Sequence, residues 1–234
     1  MSNSIIEVNG LTKSYGKHLV LDDLNFEVPK GKIVGLLGPN GCGKTTFMKI
    51  LTGIIHDYKG EVLIDGHKPG VVSKAMTAYM PERTYLAEWF RAKDAIEYFA
   101  DFFVDFDKNK AYDFLNKFGL DENQKIKTMS KGMQEKIQLL LVMSRSAKLY
   151  VFDEPFSGQD PVARGMILDV IMNNYAKDAT IMISTHQVND LEKVFDHIIM
   201  FGHGHVLFND SIDSIRDEGK SVEEKFKEVF GNVW

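Results

Sequence analysis

The stretch GPNGCGKTT, residues 38–46, stands between a continuous apolar run, KIVGLLG, and a helix-forming segment, TTFMKILTGI. It matches the spacing G-x-x-x-x-G-K-[ST], and the run before it is typical of a strand buried on both faces. Glycines in such a loop let successive backbone N–H groups turn toward phosphate oxygens, and the following helix N-terminus adds a favourable dipole. The stretch therefore predicts a phosphate-binding loop in an α/β fold. The alternative is a Gly-rich turn that matches the motif by chance.

Every position of this loop has a predicted role in binding a nucleotide. The loop comprises Gly38, Pro39, Asn40, Gly41, Cys42, Gly43, Lys44, Thr45 and Thr46. Lys44 would neutralise charge on the β- and γ-phosphates, and the Thr45 hydroxyl would coordinate Mg2+. Cys42 is interpreted as a small filler rather than a redox sensor. A thiol reagent attached to it should block nucleotide binding.

Two later strands end in polar residues. KLYVFDEP delivers Asp153 and Glu154 side by side, and ATIMIST is followed by His186. Because α/β sheets bind ligands at the carboxyl ends of their strands, these residues are predicted to meet the nucleotide. Asp153 would bind Mg2+, Glu154 would polarise an attacking water, and His186 would contact the γ-phosphate. The alternatives are a solvated turn for the two carboxylates and an ordinary histidine for His186.

The stretch TMSKGMQEK, residues 128–136, places Ser130 and Gly132 where a helix is predicted to begin. The first N–H groups of a helix have no partner within that helix. Either this is a capped surface helix, or the N–H groups meet a phosphate that this chain does not supply.

The remaining pattern predicts an α/β core with antiparallel strands near the N-terminus and a helical insertion. The first strands are IIEV, LVLDDLNFEV and EVLIDG, cut by predicted turns at GLTKSYGK, PKGK and GHKPG. The helical segments are AEWFRAKDAIEYFADFF, NKAYDFLNKFG and KGMQEKIQLLLVMSRSA, the second with a stop at Gly119. A helix over ARGMILDVIMNNYA then separates the last two parallel strands.

Two elements complete the chain. HIIMFGHGHVLFND is predicted to be a hairpin that turns at Gly202 to Gly204. In the tail, Val222, Phe226, Val229 and Phe230 share one helical stripe, which favours packing against the chain's own domain.

Composition excludes several classes of protein. The chain has 234 residues, 44% hydrophobic and 26% charged, which is typical of a globular protein. A net charge of −5 argues against nonspecific nucleic-acid binding, and a single cysteine excludes an internal disulfide. The N-terminus lacks the pattern of a signal peptide, and no apolar run approaches the roughly 20 residues of a membrane span. Any work at a membrane would require another chain.

These motifs together resemble the ATP-binding cassette (ABC) ATPases, from Ile5 to about Ile215. Residues 38–46 resemble the Walker A loop, KLYVFDEP the Walker B strand, and STH the switch histidine. Tyr15 in KSYG resembles the aromatic residue that stacks on adenine. SGQD, which ends at Asp160, resembles the D-loop that crosses to the partner subunit.

The resemblance also implies a role for residues 128–136, where the helix is predicted to begin. MSKGM aligns with the family signature LSGGQ, which caps the ATP bound to the opposite subunit, so Ser130 and Gly132 would meet a partner's γ-phosphate. Lys131 and Met133 depart from the signature, which implies a working but weaker cap. In YMPER, Glu82 stands where the family usually has a glutamine that senses Mg2+, water and the membrane partner. A carboxylate there would either bind Mg2+ more strongly or repel the γ-phosphate.

The resemblance implies a P-loop NTPase core, mostly parallel, with an antiparallel β subdomain and an inserted helical subdomain. Residues 1–81 and 147–220 would form the core lobe, 82–146 the helical subdomain and 221–234 a helical tail. The implied function is an ATPase subunit that dimerises around ATP with an identical or different cassette. It would lie on the cytoplasmic face of the membrane and power a separate multi-spanning permease, in the manner of short bacterial exporters.

Alternatives to this function remain. A soluble ABC ATPase of the cluster-assembly type is one, although a lone cysteine offers no obvious scaffold. A GTPase is disfavoured because the sequence has no N-K-x-D motif, and a kinase would not explain STH or SKGM. The aromatic residues Trp89, Phe90, Tyr98 and Phe99 form either a permease-docking groove or part of the core.

Overall fold

The computed structural model describes residues 3–186 and 191–231 of the chain. The strands in these ranges are β1 (Ser4–Tyr15), β2 (His18–Pro29), β3 (Ile33–Leu37), β4 (Lys59–Ile64), β5 (Thr77–Met80), β6 (Leu149–Asp153), β7 (Thr180–Thr185), β8 (His197–Gly202) and β9 (His205–Ser211). The helices are α1 (Lys44–Leu51), α2 (Val71–Ala75), α3 (Ala92–Phe102), α4 (Lys108–Lys117), α5 (Lys131–Met143), α6 (Pro161–Asn174), α7 (Ile212–Asp217) and α8 (Val222–Gly231). Each helix in the described part of the chain is too short or too polar to cross a bilayer.

The strands form two sheets. The first is antiparallel in the order β2-β1-β4, and the second has the order β5-β6-β7-β3-β8-β9. In the second sheet β9 runs antiparallel to β8, and the other paired strands are parallel. The predicted fold class, a mostly parallel α/β core with an antiparallel β unit and inserted helices, is confirmed.

The central strand β3 explains why two hydrophobic cores exist. All five of its residues are buried, and successive side chains of a strand point to opposite faces. Val34 and Leu36 join the core that α1 and the antiparallel sheet share with one face of the large sheet. Ile33 and Leu37 join the core beneath the remaining helices on the other face.

Parallel pairing also gathers three strand ends at one edge of the sheet. Leu37 at the end of β3 is in register with Thr185 of β7, and Asp153 at the end of β6 is in register with Ser184. The predicted phosphate loop follows Leu37, Glu154 follows Asp153, and His186 follows Thr185. The topology therefore brings together residues that lie far apart in the sequence.

Three predicted boundaries were wrong. GLTKSYGK was predicted to be a turn, but β1 continues to Tyr15, which pairs with His18. Register shifts interrupt this pairing, so the segment lacks the regular alternation of a strand. The first helix of the insertion begins at Ala92 instead of Ala87, because Asp94 caps the N–H of Arg91 and Gln124 accepts the N–H of Ala92.

The third correction concerns the end of α5, which stops at Met143 rather than continuing through SRSA. Its next residues bond to other parts of the fold, Arg145 to the carbonyls of Ala75 and Thr77 and Ser146 to that of Asp105. Tertiary hydrogen bonds therefore set this boundary, and helix propensity does not reveal them.

Other predicted features are confirmed. Gly119 ends α4 with φ +64°, and the hairpin turns at His203 and Gly204, both with positive φ. In α8, Val222 and Phe230 are buried and Phe226 packs against the same core. Residues 1–2 and 187–190 of the predicted core lobe, and 232–234 of the tail, lie outside the described residues.

Candidate active site

The loop at residues 38–46 depends on glycine at two positions. Gly38 has φ +153°, and a Cβ there would lie 2.3 Å from the carbonyl oxygen of Phe201. Gly43 has φ +106° and stands immediately before α1, where a Cβ would lie 2.5 Å from Leu21. Side chains at either position would force the loop away from the neighbouring strands. The glycines therefore let the loop turn tightly before the helix.

A cleft of about 340 Å³ opens beside this loop. Its lining residues are Val20, Asn40, Gly41, Gly43, Lys44, Thr45, Thr46, Glu82, Glu154, Ser157 and His186. The structure thus brings together most of the predicted loop with Glu154, His186 and Glu82, while Asp153 lies behind Thr45, outside the lining. Among the described loop residues, Gly38, Pro39 and Cys42 do not line the cleft. Val20 was missed, because an apolar strand residue carries no chemical signature of a ligand site.

Cys42 is buried beneath the loop, with 6% of its surface exposed. Burial raises the pKa of its thiol, although the nearby Lys44 opposes this. A thiol that is both buried and protonated reacts slowly. This agrees with the filler role and makes the thiol-blocking experiment a poor test of nucleotide binding.

Lys44 is held inward by its own loop. Its ammonium donates to the carbonyl oxygens of Gly38 at 2.6 Å and Pro39 at 3.2 Å, and lies 3.5 Å from Oε1 of Glu154. Only 5% of the residue is exposed. A phosphate entering the cleft would offer this cation stronger, charged partners than the two carbonyls.

Asp153 lies at the centre of a buried polar network. Its Oδ1 accepts hydrogen bonds from the hydroxyls of Thr45, at 3.1 Å, and Ser184, at 2.8 Å. Its Oδ2 is buried and has no hydrogen-bond partner among the described residues. Burial raises the pKa of this carboxyl group, while the two hydroxyls lower it. The free oxygen and the adjacent hydroxyl are hard oxygen donors, the type that Mg2+ prefers, so these residues fit the ion.

Ser184 was not among the predicted site residues. It lies two residues before His186, and its hydroxyl also accepts the backbone N–H of Glu154 at 2.9 Å. It therefore holds the carboxylate of Asp153 and the backbone of Glu154 in place. The sequence does place Ser184 near the end of a buried strand. It does not show that the serine side chain would contact the neighbouring strand that carries Asp153.

Glu154 and His186 lie in direct contact. Nδ1 of His186 is 2.9 Å from Oε2 of Glu154, while Oε1 of Glu154 faces Lys44. Glu154 has φ +50°, a left-handed conformation that is rare for residues other than glycine. Strain of this kind is retained where surrounding structure and function demand it. The pair therefore has the contact expected of a base and the residue that orients it.

The other predicted residues lie outside the cleft. Tyr15 is 51% exposed, and its ring centroid lies 4.9 Å from the ammonium of Lys13. Ser130 caps α5 by accepting the N–H of Met133 at 3.3 Å, and Gly132 follows in the first turn. Asp160 caps α6 through the N–H groups of Val162 and Ala163.

These caps bear on the two interpretations of the helix start. Ser130 is exposed, so its helix start faces solvent in the single chain. Capping of α5 explains the Ser130 hydroxyl without any ligand. The other interpretation, that this helix start meets a phosphate bound to a second subunit, stays a prediction.

A second cavity, of about 810 Å³, adjoins the cleft. Thr45 and Glu82 line both cavities. The larger one continues past Tyr79 and Asp153 to an aromatic end formed by Tyr85, Tyr98, Phe99, Phe102 and Phe103. Both Tyr98 and Phe99 line this cavity, but Phe99 is buried in the core whereas Tyr98 is 46% exposed. The docking interpretation stays a prediction. Trp89, 76% exposed, lies outside the lining of the cavity.

Comparison with known proteins adds independent findings. The family model described as "ABC transporter" matches residues 21–157, more than half of the chain. An uncharacterized ABC transporter ATP-binding protein of Methanocaldococcus jannaschii is 35% identical over 216 residues, which cover 90% of this chain and 79% of that protein. The lantibiotic transport ATP-binding protein SrtF of Streptococcus pyogenes is 29% identical, covering 97% and 96% of the two chains.

A solved structure shows the same arrangement. The ATP-binding subunit of an ABC transporter superposes with a TM-score of 0.87 at 28% identity. The match covers 97% of this chain and 99% of the other. The likeness therefore extends over both sheets and the inserted helices.

Proposed function

The chain belongs to the ABC transporter family, whose ATP-binding subunits are ATPases, and on that premise we propose that it dimerises around ATP and powers a separate membrane permease. The cleft beside residues 38–46 carries this proposal, because Lys44, Glu154 and His186 converge there and Asp153 accepts a hydrogen bond from Thr45 of its lining. Export is the proposed direction. The near full-length similarity to a lantibiotic transport protein supports the transport role.

In the proposed mechanism one site is divided between two chains. ATP binds along the loop, with Tyr15 against the adenine and Lys44 on the β- and γ-phosphates. Ser130 and Gly132 of a second cassette close over the γ-phosphate. The exposed start of α5 supports this role, since a helix N-terminus favours an anion. Asp160 caps α6, and in this mechanism its D-loop would reach the same interface.

Mg2+ would be held by Thr45 and Asp153, with Glu82 as a further carboxylate at the edge of the cleft. The ion supplies charge neutralisation between the phosphate groups when it is bound. The residues of the chain provide the remaining chemistry. Glu154 polarises the attacking water, and His186 keeps Glu154 oriented and stabilises charge that develops on the γ-phosphate.

The aromatic end of the larger cavity is the proposed docking groove for the permease. Phe102 is 65% exposed and Tyr98 lies against it, with ring centroids 4.5 Å apart. Lys49, Lys74 and Arg83 line the same cavity. An apolar floor with basic side chains suits a helical segment that carries apolar anchors and an acidic residue.

The proposed docking groove also bears on the proposed domain boundaries and on where in the cell the subunit would lie. Residues 1–81 and 147–220 form the nucleotide-binding lobe, 82–146 the helical subdomain and 221–234 the tail. The groove lies where the first two meet. The subunit would lie on the cytoplasmic face of the membrane, bound to the permease.

A pull-down tests the transport role. Tagged Glu154→Gln protein, expressed in the native host and extracted in mild detergent with ATP and Mg2+, should recover a multi-spanning membrane protein. A second cassette in the same sample would identify a heterodimer. Recovery from the soluble fraction alone would favour a soluble ABC ATPase instead.

Replacing Phe102 by serine should lower permease recovery at least about tenfold, because the largest exposed anchor of the groove is lost. Nucleotide binding by the isolated subunit should not change. Val104→Ser is the matched control, since Val104 is fully exposed and lies outside the cavity lining. Equal recovery with Phe102→Ser and with wild type would place the permease elsewhere.

Glu82→Gln should change the ATPase rate or its dependence on Mg2+ concentration. The side chain lines both cavities, so removing its charge alters the field at the cation site and at the groove. The measurement is the steady-state rate across a Mg2+ titration. An unchanged rate and midpoint would show that Glu82 has no coupling or metal role.

A further inference from the structure

A buried carboxylate connects two segments that the proposed mechanism places against the partner cassette. Glu135 of α5 is 8% exposed, and a charged residue at that depth requires a partner. Its Oε2 accepts a hydrogen bond from Nε2 of Gln159. Gln159 belongs to residues 157–160, the stretch SGQD that resembles the D-loop. One hydrogen bond therefore ties α5 to a loop 24 residues further along the chain.

Lys131 is the third member of this cluster. Its ammonium lies 3.6 Å from Oε1 of Glu135, and a Cβ built on Gly158 would lie 3.5 Å from the same ammonium. Burial raises the pKa of the Glu135 carboxyl and Lys131 opposes this, so the cation favours the ionised form, which is the stronger acceptor. Lys131 is one of the two departures from the family signature, and its side chain lies between the start of α5 and the D-loop.

The two segments face different nucleotides in the proposed dimer. Ser157, the first residue of the D-loop, lines the cleft of its own subunit. Ser130 caps the start of α5 and would cover the nucleotide of the partner. The contact between Glu135 and Gln159 therefore joins the chain's own cleft to the surface that would meet the second cassette.

We propose that Glu135 is a positioning residue for the dimer, which fixes the D-loop against α5 so that both segments meet the partner cassette as one unit. The inference rests on the proposed function and goes beyond it by assigning a residue to which the motifs give no role. A loose loop loses conformational entropy each time an interface forms, whereas a loop that is already held loses less. Glu135 thus preorganises the interface without touching the nucleotide.

Glu135→Ala should weaken ATP-dependent dimerisation about tenfold, which lies within the range of interaction energies between residues in contact. Gln159→Ala removes the other end of the same hydrogen bond and should have the same effect. Because either change breaks the link, the double variant should be no weaker than the single ones. ATP binding by the monomer should not change, since neither residue lines the cleft. Gln159 is half-buried in a loop, so its variant tests the link even where loss of the buried carboxylate lowers stability.

The experiment uses the intact subunit carrying Glu154→Gln, which the proposed function expects to form an ATP-bound dimer. Sedimentation over a series of protein concentrations, with ATP and Mg2+, gives the Kd of the dimer. A fluorescent ATP analogue at low protein concentration gives the affinity of the monomer, and thermal unfolding gives Tm. The control is Glu223→Ala, since Glu223 forms an i,i+4 ion pair with Lys227 on α8 at 2.6 Å. This control should leave the dimer Kd unchanged.

The outcomes separate the two proposals. Weaker dimers in both single variants, with no further loss in the double variant and unchanged monomer affinity, support the positioning role. Dimers as stable as those of the parent, or losses that add in the double variant, overturn it while the proposed function stands. A matching loss of ATP affinity in the monomer, with a lower Tm, also overturns it, since Glu135 would then merely support the fold. A Glu154→Gln parent that stays monomeric with ATP would remove the proposed dimer and this inference together.

Discussion

Glu154→Gln should reduce ATP hydrolysis by about 10²- to 10⁴-fold and convert the subunit into a stable ATP-bound dimer. The amide cannot accept a proton from water, but it keeps the size of the side chain. It also removes a negative charge 3.5 Å from the ammonium of Lys44, which frees that cation for phosphate. Nucleotide affinity should therefore be retained or increased.

The measurement is size-exclusion chromatography with and without ATP, alongside the steady-state rate. Glu154→Gln should elute as a dimer with ATP and as a monomer without it. The double variant that adds Lys44→Ala is the control, and it should stay monomeric because it lacks the phosphate-binding cation. Identical elution of Glu154→Gln in both conditions would contradict the proposed dimer.

Arg145→Ala should destabilise the protein by about 3 kcal/mol, which corresponds to roughly 6–12 °C in Tm for a chain of this size. Arg145 is 3% exposed and forms two hydrogen bonds to Asp105. It also donates to the carbonyls of Thr77 and Ala75 and lies 3.8 Å from the ring centroid of Phe103. Alanine would leave a carboxylate and two carbonyls without their donor.

Thermal or urea unfolding measures this effect. Arg145→Lys should be intermediate, because lysine keeps the charge but not the planar fork of donors. Arg216→Ala is the surface control: Arg216 pairs with the exposed Asp213 at 3.1 Å, and its loss should cost less than about 0.5 kcal/mol. A loss below about 1 kcal/mol at Arg145 would show that water replaces its contacts.

The sequence predicted which residues converge beside the loop better than it predicted the boundaries of the elements around them. The loop at residues 38–46 matches a known spacing, so the strand before it, its turn and the helix after it were all predicted. Asp153, Glu154 and His186 follow apolar strands, and parallel pairing brings such strand ends to one edge.

The missed features depend on contacts between distant segments. The N–H of Ala92 pairs with Gln124, and Ser184 pairs with Asp153 across two strands. Neither contact leaves a local pattern in the chain. The sequence left two interpretations of the aromatic cluster, a docking groove or part of the core. Only packing shows that Phe99 is buried whereas Phe102 faces solvent.

The two cavities share lining residues, and this has a thermodynamic consequence. Thr45 and Glu82 line both, so a permease segment in the proposed groove and a nucleotide in the cleft would each act on the same side chains. Linkage requires any such influence to be mutual: if ATP tightens permease binding by some factor, the permease must tighten ATP binding by that same factor. Two independent titrations of the assembled complex would therefore give one coupling constant.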